Sequence, residues 1–306
     1  MGEAIIGIFP SVTGATLDCL EWQPEGTPRA IIQLVHGMAE HIERYDATAK
    51  RLNEAGFLVV GHTQLGHSEK SKILGWFADH DGWDALIEDV HTLRKQTQAK
   101  HPNLPYFLLG HSMGSFVVRT YCLKHEAGLA GVILSGTGHF DPPILNIGLC
   151  LANLQCAFGG EKKPSSLLAN MSFAGYNRDW MPPRTEFDWL SKDTNVVDQY
   201  VADPLCGYPF TAGGYRDMFT GLKKLYPKYL SALDKNIPIR LFSGACDPVG
   251  ARGAGVKATE QELISAGVKD VTMKLYEGGR HEMFNEVERE AVWSDLIEWL
   301  EKHMKQ

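Results

Sequence analysis

Short apolar runs alternate with longer amphipathic stretches along this chain. Ala4 to Phe9 and Thr16 to Trp22 alternate or run apolar, with Ser11, Thr13 and Gly14 between them, which predicts an antiparallel hairpin. Ala30 to Val35 is a stronger strand that ends in His36-Gly37. The apolar spacing then predicts a helix over Ile42 to Ala55, closed by Gly56, and a strand at Phe57 to Val60. Trp83, Leu86, Ile87, Val90 and Leu93 recur at helical spacing and mark an amphipathic helix over Gly82 to Lys100. Tyr106 to Leu109 and Gly131 to Gly136 read as buried strands on either side of a helix that starts near Met113 and stops before Gly128. Ile237 to Phe242, a helix near Lys257 to Ala266, a strand at Val271 to Tyr276 and a helix from Ala291 to His303 complete the series. Two opening strands followed by strand–helix alternation predict an α/β fold: an eight-stranded, mostly parallel sheet with helices on both faces.

Residues 139–209 break that alternation. They open with Asp141-Pro142-Pro143 and continue into Ile144 to Leu151, a segment apolar around much of its circumference that runs on through Phe158. A connection between a strand and a helix normally needs only a few residues, so so long an excursion points to function. The expected organisation is a core formed by residues 1–138 and 210–306, with 139–209 inserted as a cap whose inner face shelters an apolar substrate.

The candidate chemistry lies behind the Tyr106–Leu109 strand, in Gly110-His111-Ser112-Met113-Gly114. With 31 glycines in the chain, G-x-S-x-G alone carries little weight. Strand, motif and helix in immediate succession form the pattern of a nucleophile elbow, which holds a serine hydroxyl clear of the backbone on a strained turn. A serine hydroxyl needs a histidine to take its proton and an acid to orient that histidine. Both partners follow in the order this topology requires. Asp247 lies in Ser243-Gly244-Ala245-Cys246-Asp247-Pro248, and His281 in Gly278-Gly279-Arg280-His281-Glu282, each after a predicted core strand. The expected catalytic set is Ser112, Asp247 and His281. The backbone amides of Met113, after the nucleophile, and Met38, in the loop after the Ala30–Val35 strand, are the expected oxyanion donors.

Composition narrows the partners. The net charge is −7, and no basic cluster with interleaved aromatics appears, so nucleic acid is not an expected partner. The start Met1-Gly2 matches an acylation signal only in part, since position 6 is Ile6, and no secretory leader is evident. No uninterrupted apolar span long enough for a membrane helix is read. The six cysteines (Cys19, Cys122, Cys150, Cys156, Cys206, Cys246) form no C-x-x-C pair, so free thiols in a cytoplasmic setting are expected. His36/His41 and His62/His67 lack zinc-helix spacing, His281-Glu282 lacks the second histidine of H-E-x-x-H, and no phosphate-binding glycine loop is present. Neither a metal nor a cofactor is expected.

The chain resembles the monoacylglycerol lipase and lysophospholipase-like branch of the α/β-hydrolases over nearly its whole length. The resemblance is carried by His36-Gly37-Met38-Ala39-Glu40-His41 with Arg44-Tyr45, Gly110 to Gly114, Ser243-Gly244 with Asp247-Pro248-Val249-Gly250, and Gly278 to Glu282. Pro183-Arg184-Thr185, Phe187 to Ser191 and Asp203 to Gly207 look like the cap of bacterial members. The resemblance implies cofactor-free hydrolysis of carboxylic esters, often glycerol monoesters of fatty acids, with the cap governing access for acyl chains. Transient contact of the cap with lipid surfaces is a further expectation. One segment departs from the family. Where relatives carry Asp-x-x-Gly-His-Gly, this chain has Thr63-Gln64-Leu65-Gly66-His67-Ser68, which puts in question that loop's stability or the edge of the substrate site. Two other readings stay open: a general carboxylesterase or thioesterase, and a non-catalytic ligand-binding protein on the same fold.

Overall fold

The computed structural model describes residues 3–304. Met1 and Gly2, on which the N-terminal expectations partly rest, lie outside the described residues. Eight strands form one sheet: β1 (Ile5–Pro10), β2 (Thr16–Trp22), β3 (Ala30–Val35), β4 (Phe57–His62), β5 (Tyr106–His111), β6 (Gly131–Ser135), β7 (Ile239–Gly244) and β8 (Val271–Tyr276). Their order is β1-β2-β4-β3-β5-β6-β7-β8. β1 and β2 pair antiparallel, β2 runs antiparallel to β4, and all later neighbours are parallel. Every residue of β3, β4, β5 and β6 is buried, as continuous apolar runs in a two-faced parallel sheet must be. β7 starts at Ile239 rather than Ile237 because Pro238 has no N–H for the ladder; only its carbonyl is used, by Val132 N at 2.9 Å.

Nine α-helices are found among the described residues: α1 (Asp46–Glu54), α2 (Gly82–Lys100), α3 (Met113–His125), α4 (Pro142–Gln155), α5 (Ser166–Phe173), α6 (Thr194–Ala202), α7 (Ala212–Lys223), α8 (Ala254–Ser265) and α9 (Arg289–His303). The helix expected over Ile42 to Ala55 is divided. A tight 3-10 turn occupies Ile42–Tyr45 and α1 follows it. The turn tightens where Arg44 and Tyr45 both reach back to Glu40, at 2.6 and 2.8 Å.

The chain leaves the layered alternation after β6. α4 packs across α7, with Gly148 facing Phe219 so closely that a Cβ there would stand 3.0 Å from the ring. Trp189, Leu190 and Tyr200 form a separate buried cluster with Phe173, Tyr176 and Phe187. The excursion closes on itself at its base, where Pro164 pairs with Thr211 and Ser165 N donates to Phe210 O. One helical stretch qualifies the expectation of no uninterrupted apolar span of membrane length. Pro142–Gly160, which is α4 plus the turn after it, is long and apolar enough by length and composition, and little of it is buried. Asn146, Asn153 and Gln155 interrupt the apolar run when it is read linearly, yet they do not outweigh the isoleucines, leucines and cysteines around them. Phe158 and Gly159 leave helical geometry and kink its end.

Candidate active site

Ser112 sits between β5 and α3 at φ 52°, ψ −122°, a backbone region that costs a residue with a Cβ about 1–3 kcal/mol. The surroundings enforce it. Ser112 N donates to Ser135 O at 2.9 Å, and Ser115 Oγ donates to Ser112 O at 2.6 Å. The motif's glycines are required sterically. A Cβ on Gly110 would lie 2.3 Å from Gly114 O, and one on Gly114 would lie 2.1 Å from Val35 O. Helix α3 therefore folds back against β3 and β5 only if both positions lack side chains.

Asp247 and His281 meet across the ends of β7 and β8. His281 Nδ1 lies 3.0 Å from both carboxylate oxygens of Asp247, and both residues are buried. Asp247 also accepts from Ser243 Oγ (2.7 Å) and Val249 N (2.9 Å). Burial works to raise the Asp247 carboxyl, but the facing His281 and these donors outweigh it and hold the group below its ordinary value. For His281, burial works to lower the imidazole, and the Asp247 carboxylate reverses this and holds it above its ordinary value. With Nδ1–H donated to the acid, the neutral ring keeps Nε2 as a proton acceptor. Two rings fix its faces: His111 at 4.7 Å and Trp189 at 5.1 Å between centroids. Glycine at 136 makes room, since a Cβ there would stand 2.9 Å from His281 Cε1.

Ser112, His281, Met38 and Met113 all line one cavity of about 1140 Å³. Met113 is the first residue of α3, so its N–H has no partner within the helix. Met38 belongs to a braced loop. Gly37 N donates to Glu40 Oε1 at 2.5 Å, and Arg44 joins Glu40 to Glu282, the residue after His281, through contacts of 2.6 and 2.7 Å. Phe116, Phe140, Leu145, Gly148, Met218 and Phe219 give the cavity an apolar wall, while Asn170, Asn177, Arg178 and Glu186 contribute polar groups from the 139–209 segment.

Of the three residues expected to carry the chemistry, Ser112 and His281 face a single space, and Asp247 is buried behind His281 and does not line it. Their supports were not read from sequence. Ser243, four positions before Asp247, had a local signal in the Ser-Gly-x-x-Asp string; Trp189 lay in the Phe187 to Ser191 stretch that looks like a family cap, with no sign of its contact with His281, and Tyr200 had none. The unusual Thr63–Ser68 loop contributes no wall to the cavity. Gln64 instead braces the end of β3, donating to His36 Nε2 from its backbone (2.9 Å) and to His36 O from its side chain (2.8 Å). Among the described residues one trio of metal-ligand type, His41, Asp203 and Cys206, has its atoms within 4.8 Å of one another. There His41 Nε2 is already engaged with Asp203 Oδ2 at 2.8 Å, and burial pushes the Cys206 thiol up, away from the thiolate a metal would need.

The chain is also similar to known hydrolases. The chain is 29% identical to the monoacylglycerol lipase of Mycolicibacterium smegmatis, covering 97% of this chain and 96% of that protein. It is 28% identical to the human monoglyceride lipase, over 94% of this chain and 87% of the human one. A thermostable carboxyl esterase from Bacillus coagulans, solved in complex with glycerol, superposes with a TM-score of 0.92 at 30% identity, covering 99% of this chain and all of the esterase (100%). A family model described as serine aminopeptidase, S33, matches residues 26–288, and the chain belongs to this hydrolase family of the α/β-hydrolase fold.

Proposed function

We propose that this hydrolase cleaves carboxylic esters that join an acyl chain to a small alcohol, with monoacylglycerols as the preferred class, through an acyl-enzyme on Ser112. The observation that carries the reading is the shared space. A strained serine and a histidine oriented by a buried acid face a cavity of about 1140 Å³ whose wall is largely apolar. That volume lies just above the usual range of small-molecule sites, roughly 300–1,000 Å³. In the mechanism His281 Nε2 removes the Ser112 proton as Oγ attacks the ester carbonyl. The Met38 and Met113 amides hold the oxyanion, and protonated His281 gives its proton to the departing alcohol. Water then attacks the acyl-enzyme with His281 again as base. Residues 139–209 act as the cap over this reaction, and their exposed apolar side chains contact the lipid surface from which substrate is drawn. The names of the relatives support the substrate class.

A second reading, a general carboxylesterase, is favoured by the likeness to the Bacillus carboxyl esterase. Aminopeptidase activity has less support. Of the carboxylates that line the cavity, Glu40 and Glu282 are paired with Arg44, which leaves Glu186 of the inserted segment as the one outside that pairing that could hold a peptide's terminal ammonium.

Steady-state kinetics on monoacylglycerols of graded length, lysophospholipids, short p-nitrophenyl esters and an aminopeptidase substrate tests the proposal. The expected result is a clear kcat/KM advantage for a monoacylglycerol, with Ser112→Ala lowering kcat by roughly 10⁴–10⁶-fold in a folded protein. Near-normal turnover by Ser112→Ala would place the nucleophile elsewhere. Activity confined to short esters would favour the second reading.

A further inference from the structure

The turn Gly37-Met38-Ala39 is gripped from two sides. Glu40 holds its first amide, through Gly37 N. The grip on its far end comes from the inserted segment. The carbonyl oxygen of Ala39 accepts from the Tyr200 hydroxyl and from Gly207 N, each at 3.0 Å, and Gly207 N also lies 3.1 Å from the Tyr200 oxygen. Ala39 itself stands at φ 51°, in the left-handed region that a residue with a Cβ occupies only when its surroundings over-determine it. Releasing the carbonyl lets φ of Ala39 relax, and that rotation swings the backbone before it, including the Met38 amide.

Tyr200 is well built to prevent this. It is buried on α6, with its ring under the Arg44 guanidinium at 4.8 Å. Arg44 is in turn tied to Glu40 and Glu282. The hydroxyl therefore approaches Ala39 from a fixed platform that also touches the histidine loop.

We infer that Tyr200 is a positioning residue for ester cleavage: its hydroxyl, together with Gly207 N, clamps the Ala39 carbonyl and so fixes the direction of the Met38 amide. The inference rests on the proposed role of Met38 as an oxyanion donor. Preset donors act on the charge that develops in the transition state, whereas ground-state binding of the ester depends on the apolar wall. Loss of the clamp therefore appears in kcat and leaves KM in place.

Tyr200→Phe removes one hydroxyl and keeps the ring under Arg44. The expected result is a fall in kcat of about 10-fold with KM within about 2-fold, smaller than the 10²–10³-fold loss of a whole oxyanion donor because Gly207 N remains. Inhibition by a trifluoromethyl ketone, whose carbonyl becomes a tetrahedral oxyanion on Ser112, weakens in the same proportion as kcat. Ala39→Gly in the Tyr200→Phe background restores kcat to within about 3-fold of Ala39→Gly alone, since glycine holds a positive φ without strain. A merely structural role would not produce that rescue. An unchanged kcat in Tyr200→Phe, a rise in KM in its place, or failure of the rescue overturns the inference. Retained activity in Ser112→Ala, run in the same assay, instead overturns the functional reading on which it rests.

Discussion

Asp247 shows how much of the proposed chemistry depends on a single proton. Asparagine at this position keeps the shape of the acid but turns one oxygen into an N–H₂ donor facing His281 Nδ1. The imidazole then carries its proton on Nε2 and has nothing with which to accept from Ser112. Asp247→Asn is expected to fold and to lose about 10³–10⁴-fold in kcat. A second signature follows from charge. His281 sits above its ordinary pKa because the Asp247 carboxylate outweighs the opposing effect of burial. Activity requires the neutral ring, so it falls as pH drops through that value. Without the carboxylate, the acidic limb of kcat/KM moves to lower pH. A pH–rate profile with both kcat and the limb unchanged would show that some other group serves as the acid.

Helix α4 carries the corresponding argument at the scale of an element. One of its faces packs on α7 through Leu145, Gly148 and Ala152, while the other leaves Ile147, Leu154 and, beyond its end, Phe158 exposed. Phe158 is 82% exposed, an unusual position for a large aromatic ring in water. If this face meets the lipid surface, Leu154→Ser with Phe158→Ser should reduce the fraction of protein that floats with phosphatidylcholine vesicles several-fold. Neither residue lines the cavity, so hydrolysis of a short soluble ester should stay within about 2-fold. Equal flotation of variant and parent would remove the lipid-contact reading. The first stretch of this segment was legible because its apolar residues are dense, whereas α5, α6 and α7 were not read. The start of α7 shows why. Gly213 and Gly214 weaken the helix signal, yet they stand where a Cβ on Gly214 would lie 2.1 Å from Gly75 O. A tertiary contact made across the fold chose those residues, and local propensity records only their cost. The order Ser112, Asp247, His281 was legible because each follows a strand that its own run announces. Tyr200 and Trp189 act across long sequence separations; Trp189 falls in a stretch that reads only as cap, and nothing beside either residue announces its contact with Ala39 or His281.

For the whole molecule, the most distinctive charge feature is a set of buried, uncharged histidines beneath the site. His36 Nε2 accepts from Gln64 N, which requires a neutral ring, and both nitrogens of His62 lack a hydrogen-bond partner. Burial pushes His62 down to about 3, His67 and His111 to about 4, and His36 well below its ordinary value. An unfolded chain protonates each imidazole near pH ~6.5. Between that pH and about 4 the unfolded state therefore binds more protons than the folded one, and stability falls as pH falls. From pH 7 to 5 each group contributes a loss on the order of 1–2 kcal/mol. Asp89 opposes this: burial raises it to about 6, so its protonation below that pH favours the folded state. Asp217 and Glu126, also raised by burial, act in the same sense as Asp89. His281, held high, changes stability only above pH ~6.5, where stability is lost as pH rises through its own pKa. The carboxylates of Glu40, Asp203 and Asp247 are held low and add their losses only below about pH 4. The histidines dominate the interval between. Urea unfolding at several values from pH 7.5 to 5 should show a midpoint that falls steadily with pH. His62→Leu removes a ring with no polar partner and should flatten that dependence by roughly one proton's worth of slope, about 1.4 kcal/mol per pH unit at most. A pH-independent midpoint in the parent protein, or an unaltered slope in the variant, would mean that these imidazoles do not set the acid limit of the fold.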